Sequence, residues 1–187
     1  MEERELIAAL KRGSDSAFRQ LVEAYGDRIY NTVLGILQDA QEAEDAAQET
    51  FMRVHASIAG FREESSLSTW IHRIAVRKAL EKIRGRKLRM RLRAFLPAWM
   101  PQESAQANSA YMHPGIRAEN RAKARALQAA MDALPGNQRL AFTLVQVQGM
   151  RYDEACAIMG LGVKAVESLI SRAKVNLRKR LEQYKPD

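Results

Sequence analysis

Apolar residues recur every three or four positions through most of the 187-residue chain, the spacing of one face of an α-helix. Alternating runs typical of β-strands are not found. Four helices are predicted in the first half, separated at Gly13, at Asp39 and by a loop at 61–68. Ser14 or Asp15 is expected to cap the second helix, and Asp39 the third. We therefore predict an all-α protein whose core is formed by these apolar stripes.

The most informative stretch is Gly149 to Leu181. A short helix is predicted to end at Gly160, because glycine tolerates the left-handed backbone that stops a helix, and a longer helix follows. One face of the longer helix is apolar, whereas the other is polar and basic, with a net charge of +5 from Val163 to Leu181. Two helices joined by a tight turn and carrying a basic face are typical of a DNA-binding helix-turn-helix. A packed helical hairpin without DNA has the same apolar pattern.

The exposed face of the last helix divides into two groups of candidate DNA contacts. Its N-terminal part enters the major groove in this motif and should read bases through Lys164, Glu167, Ser168 and Ser171. The cations further along should hold phosphates, and they are Lys174, Arg178 and Lys179.

Charge alternates along the chain. Residues 1–67 carry a net charge of −6, residues 68–93 carry +9 and residues 118–187 carry +5. Two basic blocks suggest two nucleic-acid contacts, and the acidic block suggests a surface for a different partner. The acidic block is concentrated on the third helix, although a solvated face would explain that as well. Its polar side is expected to face outward with Glu42, Glu44, Asp45, Gln48 and Glu49.

A second candidate nucleic-acid site lies in the basic block, where the loop 61–68 leads into a helix beginning near Thr69. Trp70 lies on the same side of this helix as three arginines, which are Arg73, Arg77 and Arg84. Cations can follow phosphates while an aromatic ring and a polar loop hold unstacked bases. Trp70 could equally be a partly buried core residue packed against Ile74.

Residues 94–117 interrupt the helical pattern with three prolines and many small polar residues. They are predicted to be a flexible linker between two small helical domains, 1–93 and 118–187. Within the second domain, helices are predicted at 118–134, with Leu127 among its core residues, and at 138–148.

Several functional classes are disfavoured by the sequence. No run is long and apolar enough for a membrane helix, and the N-terminus does not resemble a signal peptide, so we expect a cytoplasmic protein. Cys156 is expected to be a small buried side chain. The three histidines lack metal-ligand spacing, and clustered carboxylates for nuclease chemistry are missing. We expect no enzyme activity, no metal and no cofactor.

Three segments, taken in order, resemble a bacterial RNA polymerase sigma factor of the extracytoplasmic-function type. They are residues 39–61 (DAQEAEDAAQETFMRVHASIAGF), residues 68–87 (STWIHRIAVRKALEKIRGRK) and residues 133–181, which contain the helix-turn-helix. No single segment would suffice, but the combination is specific and covers nearly the whole chain except the linker.

The resemblance implies a role for each segment. The acidic helix would bind the clamp helices of core RNA polymerase through Asp45, Gln48, Glu49 and Phe51. The loop and the Trp70 helix would capture a flipped base of the promoter −10 element, with Arg62, Ser65, Ser66, Trp70, Arg73, Arg77 and Arg84 as candidates. The last helix would read the −35 element through Lys164, Glu167, Ser168, Ser171, Arg172, Lys174 and Arg178. The linker would thread through polymerase, and an anti-sigma factor is implied as a further partner.

The chain departs from the family pattern at a few positions. Arg77 stands where the family usually has Asn, Glu81 where it often has Asp, and Ala155-Cys156 replaces the usual Ile-Ala. Arg77 puts the details of −10 contact in question while adding a phosphate-binding charge. The alternative function is a helix-turn-helix transcriptional regulator that acts without polymerase, which would leave the Trp70 helix unexplained.

Overall fold

The computed structural model describes the backbone of residues 2–93 and 118–182, and the side chains of residues 2–88 and 125–182. Within these ranges the chain is all-α, as predicted. The helices of the first half are α1 (Glu3–Lys11), α2 (Asp15–Leu37), α3 (Ala40–Ser57) and α4 (Leu67–Arg93), with a 3-10 turn at Ile58–Gly60. Those of the second half are α5 (Ala118–Asp132), α6 (Gly136–Phe142), α7 (Tyr152–Met159) and α8 (Val163–Leu181).

Local capping sets most of the helix boundaries. The side chains of Ser14, Asp39 and Ser66 each accept a hydrogen bond from the backbone N–H three residues on, at 3.3, 2.9 and 3.1 Å. Gly160 ends α7 with a φ of 66°, the left-handed conformation predicted for it. Because Ser66 is the cap, α4 begins at Leu67, slightly earlier than the pattern indicated.

The first half is a bundle in which α2, α3 and α4 pack on one another and α1 covers one end. Each long helix contributes fully buried residues to the core, among them Leu21, Ile29, Val54, Leu67 and Ile71. The second half folds around α8, whose predicted apolar stripe is buried at Val166, Ile170, Ala173 and Leu177.

One prediction for the second half is wrong, and a second is correct in its helical range but not in helix type. Leu127 is 47% exposed rather than in the core, because α5 packs mainly on α8 and turns this side chain outward. The predicted helix 138–148 is instead α6 followed by a π-helical turn at Thr143–Val147, after which Gly149 adopts a φ of 66°. The wider turn still buries Thr143 and Leu144.

The two helical units pack against each other, which the prediction of two linked domains did not include. Leu140 and Leu144 belong to the same buried cluster as the core of the first half. A Cβ placed on Gly35 would lie 2.7 Å from Cγ2 of Thr143, so α2 and the π-helical turn approach closely. The predicted linker, 94–117, lies outside the described residues.

In the part of the chain that the structure describes, no helix combines the length and the apolar character needed to cross a membrane.

Candidate nucleic-acid and protein interfaces

A cavity of about 630 Å³ lies between the C-terminal end of α3 and the first half of α4. Arg53 and Ser57 line it from α3, and Trp70, Ile74, Arg77, Lys78 and Glu81 line it from α4. Arg53 and Ser57 were missed from the sequence, although Arg53 is the one Lys or Arg within α3. Cationic side chains therefore line the cavity together with the Trp70 ring, an arrangement that can bind phosphates and unstacked bases.

A second cavity, of about 310 Å³, shares Gly60 and Trp70 with the first. The loop before α4 lines most of it, through Gly60, Phe61, Arg62, Glu64 and Ser65, and α4 adds Trp70 and Arg73. The Trp70 ring packs on Phe61 with a centroid distance of 4.9 Å and is half-buried. Trp70 is thus a packing residue in contact with Phe61 and also a wall of both cavities, and Ile74, its expected packing partner, lines the larger cavity with it.

The other predicted −10 residues differ in their surroundings. Arg62, Arg77 and Arg84 are exposed, and Arg77 lies 3.5 Å from Glu81 one turn further along α4. The Ser66 hydroxyl caps α4 and contacts the Thr69 hydroxyl at 2.9 Å. In this structure the Ser66 hydroxyl therefore serves to cap α4.

Arg73 connects this region to the second half of the chain. Its Nε donates a hydrogen bond to the Ala157 carbonyl of α7 at 2.9 Å, although the two residues are 84 positions apart. The predicted −10 face is therefore in direct contact with the helix-turn-helix unit.

The acidic side of α3 faces α4 rather than solvent alone, which corrects the outward placement expected for it. Lys82 lies 3.5 Å from Asp45 and 3.3 Å from Glu49, and Lys78 lies 3.3 Å from Glu49. One turn before Asp45, Glu42 lies 3.7 Å from Arg86. We call these ion pairs the charge seam. Burial raises the pKa of Glu49, but the hydrogen bonds and charges of the two lysines outweigh it and lower that pKa overall.

An apolar groove of about 550 Å³ continues from this side of α3 toward α2. It is lined by Phe18, Val22, Gln48, Phe51, Met52 and His55. Gln48 is exposed, as expected for a docking residue, whereas Phe51 is 9% exposed and is mainly a core residue. Met52, which the sequence analysis missed, is 71% exposed.

The predicted DNA-reading face of α8 is open to solvent. Lys164, Glu167, Ser171, Arg172, Lys174 and Arg178 are exposed, and Ser168 is half-buried. Within residues 125–182, no cation of α8 lies in an ion pair with a described carboxylate. Val175, a large apolar residue not considered from the sequence, is 48% exposed on this helix. The structure therefore brings the predicted −35 residues together on one accessible surface.

Two further titratable groups, His72 and Cys156, are shielded from solvent to different degrees. His72 is fully buried; its Nδ1 lies 2.7 Å from the Ser68 carbonyl, and its Nε2 has no hydrogen-bond partner. Burial lowers the pKa of His72 and outweighs the hydrogen bond to the Ser68 carbonyl, which raises it. Cys156 is half-buried rather than fully buried. No group of metal-binding side chains occurs among the described residues.

Comparison with known proteins yields matches in both halves. The family description Sigma-70 region 2 matches residues 21–89, and Sigma-70, region 4 matches residues 124–177. The RNA polymerase sigma-H factor of Pseudomonas aeruginosa is 29% identical over 97% of this chain and 94% of its own length. The ECF RNA polymerase sigma factor SigW of Bacillus subtilis is 29% identical, over 94% of each chain.

A similar fold is found among solved structures. The sigma factor RpoE of Bartonella quintana, solved with the anti-sigma factor NepR, superposes with a TM-score of 0.68 at 22% identity. The match covers 88% of this chain and 96% of that one.

Proposed function

This chain belongs to the sigma-70 family, in its extracytoplasmic-function group, and from that membership we infer which of its surfaces performs each step. It binds core RNA polymerase and directs promoter-specific transcription initiation. We propose that the unit of residues 1–93 binds polymerase and opens the −10 element. The unit of residues 118–187 reads the −35 element, and residues 94–117 connect them.

The −10 assignment is carried by one observation, the two cavities that share Trp70. A base leaving the duplex must recover the stacking energy that it loses, and an aromatic wall supplies part of it. Arg53, Arg73 and Arg77 stand at the cavity rims, where they can hold the phosphates on either side of the extruded base. Arg62 and Ser65 belong to the loop that lines the smaller cavity.

Permanganate reactivity of unpaired thymines in holoenzyme–promoter complexes tests this assignment. Trp70→Ala should reduce promoter opening more than it reduces closed-complex binding, and Arg53→Ala should act in the same direction. Trp70→Phe is the matched control, because it keeps an aromatic wall against Phe61. Opening that is unaffected while Trp70→Ala only lowers the melting temperature would assign Trp70 to packing alone.

We place polymerase docking on Asp45, Gln48 and Glu49, next to the apolar groove. An acidic rim beside an apolar groove is complementary to a helix that presents both basic and apolar side chains. Phe51 supports the groove from beneath rather than contacting polymerase with its whole ring.

The charge seam allows a controlled test of this docking. Asp45→Asn with Glu49→Gln should weaken core-polymerase affinity about tenfold, since charge-assisted contacts would be lost. Lys82→Met removes two of the same ion pairs, leaves the Lys78–Glu49 pair and keeps both carboxylates, so it should leave that affinity unchanged. Equal losses in the two variants would mean that the seam matters for folding and that the acids do not touch polymerase.

We also propose that the chain acts in the cytoplasm, without catalytic activity of its own, and that an anti-sigma factor restrains it. The supporting observation is the similar fold of a sigma factor solved with such a partner. Capture of proteins from the native cells should recover one that stops run-off transcription when added back. If no captured protein inhibits transcription, the proposal of an anti-sigma partner is wrong.

The alternative function, a regulator that works without polymerase, is disfavoured, because both halves of the chain match sigma-70 regions.

A further inference from the structure

We propose that α1 positions the loop of the −10 site, with Lys11 and Glu3 as positioning residues that hold the two ends of this loop. The loop is the segment 61–66 between the 3-10 turn and α4. The proposal rests on the proposed function, since the loop contacts the −10 element only within it. Among the described residues that line the two cavities, neither Lys11 nor Glu3 occurs, so both would act through the loop and not on the base.

Lys11, the last residue of α1, holds the first end of the loop. Its Nζ donates a hydrogen bond to Oε1 of Glu63 at 2.7 Å and lies 5.9 Å from the centroid of the Phe61 ring. Phe61 is buried and packs on Trp70, the shared wall of both cavities. One ammonium group therefore contacts a charged loop residue and the ring that supports Trp70.

The backbone of Glu63 explains why this end of the loop needs support. Its φ is 60°, a left-handed conformation that is uncommon for a residue other than glycine and is maintained by its surroundings. Arg62 and Glu64, on either side of it, line the smaller cavity, whereas the Glu63 carboxylate is directed to Lys11. The ion pair therefore supports the turn that brings the two neighbours of Glu63 to the cavity.

Glu3 holds the other end of the loop. Its Oε1 accepts a hydrogen bond at 3.1 Å from the backbone N–H of Leu67, which is 64 positions away and is the first residue of α4. The first N–H groups of a helix have no partner inside it, and Ser66 caps the N–H of Thr69 instead. A carboxylate is also favoured at the positive end of a helix. Glu3 therefore fixes the start of α4, and with it the turn that carries Trp70.

The support itself is firmly attached to the bundle. Leu6, Ile7 and Leu10 of α1 are 4 to 7% exposed, and α1 packs on α2 and on the 3-10 turn before the loop. The side chains of Arg62 and Glu64 are 83% and 77% exposed, so they have little packing of their own. A loop held at both ends adopts fewer conformations before a base arrives, which favours the correct base over the others.

Variants of α1 separate this role from general stability. Lys11→Met removes the charge and keeps the length of the side chain, whereas Lys11→Arg keeps a cation. Glu3→Ala removes the acceptor, whereas Glu3→Gln keeps a side-chain oxygen that can accept from Leu67. Arg12→Met and Glu5→Ala are matched controls, because both residues are exposed and the Glu5 carboxylate bonds locally, to the backbone N–H of Glu2.

The measurement is the affinity of holoenzyme for forked promoter templates with a single-stranded −10 element. Each position of a −10 element mapped with the parent holoenzyme carries each of the four bases in turn. Lys11→Met and Glu3→Ala should each lower the affinity ratio of the best to the worst base about fivefold or more, because a displaced loop no longer favours one base. The conservative variants and the controls should keep the parent ratio, and −35 preference should be unchanged in all of them.

A rescue tests the route through the Glu63 backbone. Asparagine adopts the left-handed conformation more readily than glutamate does, so Glu63→Asn holds this turn without an ion pair. Added to Lys11→Met, it should restore much of the lost discrimination. A ratio that stays at the Lys11→Met value would overturn this route.

The other outcomes are equally decisive. An equal loss of affinity for all bases in Lys11→Met, with a salt slope lower by about one, would mean that Lys11 holds a phosphate and does not position the loop. Ser65→Ala removes a cavity residue and should change −10 preference by itself. If it does so while the α1 variants do not, the role of α1 is overturned; if none of them changes preference, the −10 assignment of the loop is wrong and this inference with it. Should circular dichroism show that Glu3→Ala loses helix, the partly exposed Lys11 decides through Lys11→Met.

Discussion

The two basic helices of this molecule use their charges differently. On α4, Lys78, Lys82 and Arg86 lie within 3.3 to 3.7 Å of carboxylates on α3. On α8, no described carboxylate forms an ion pair with any of the cations. The net charge counted from the sequence is therefore larger than the positive charge that α4 has available for DNA. For α8 the count from the sequence and the available charge agree. We therefore expect the proposed −35 contact to depend more strongly on salt than the proposed −10 contact, because cations without an ion-pair partner release more counterions from the DNA.

Base reading by α8 should show the largest single effect. Glu167 is exposed in the N-terminal part of the helix, where a carboxylate can accept from a cytosine amino group. Glu167→Gln should change the preferred −35 sequence and cost up to about 3 kcal/mol on the original site. A binding titration of holoenzyme against a −35 base-substitution panel measures this. If the parent chain and Glu167→Gln prefer the same −35 sequences, α8 is a packing element and does not contact the bases through Glu167.

Removal of unpaired cations should weaken binding without changing preference. Lys174→Ala with Arg178→Ala should lower affinity for all duplexes alike and reduce the salt slope by about 2, because two phosphate contacts are lost. Lys78→Ala with Lys82→Ala is the comparison from the paired helix and should change the slope less. Titrations at several salt concentrations give both slopes. Equal slopes in the two double variants would contradict the distinction between the helices.

Acidification should destabilise the fold through His72. Its pKa is lowered in the folded state by burial, so the unfolded chain binds a proton more readily. The contribution of His72 is fully present above its ordinary pKa of about 6.5 and is lost progressively as the pH falls toward the lowered value. The hydrogen bond to the Ser68 carbonyl and the charge of Glu154 favour protonation, each more weakly than burial disfavours it, and Arg28 opposes protonation. Urea unfolding at pH 8 and pH 5.5 measures the loss, which His72→Leu should reduce.

Breaking the charge seam should have the smallest effect on stability. Lys82→Met removes two partly exposed ion pairs, which are together worth about 1 kcal/mol or less. The thermal midpoint should fall by a few degrees at most, and less at high salt. A large, salt-independent fall would show that the Lys82 side chain contributes packing rather than charge.

Features decided by neighbours in the chain could be predicted from the sequence. Ser14, Asp39 and Gly160 act where they were expected, because a cap or a left-handed glycine depends on the backbone within a few residues. The buried stripe of α8 was equally readable, since helical spacing determines which side chains share a face.

Features decided by distant partners could not be predicted. Leu127 follows the helical period but has little to pack against, and Asp45 faces a lysine 37 positions away. The Arg73–Ala157 bond and the cavity wall formed by Arg53 depend on how helices meet in space. The sequence therefore identified the segments that match sigma-70 regions 2 and 4, but not which of their side chains are already engaged in ion pairs and hydrogen bonds.

Gln38 connects backbone strain to the contact between the units. It ends α2 with a φ of 58°, a conformation that costs a residue other than glycine about 1 kcal/mol or more. Its amide donates to the Gly35 carbonyl at 2.6 Å, and its side-chain oxygen accepts from Gln128 of the second unit. One of the two bonds that offset the strain is therefore available only while the units touch. In a Gln128→Ala variant the last turn of α2 should consequently exchange its amide hydrogens faster than in the parent chain, because the bond to Gln38 is lost while the bond to the Gly35 carbonyl remains.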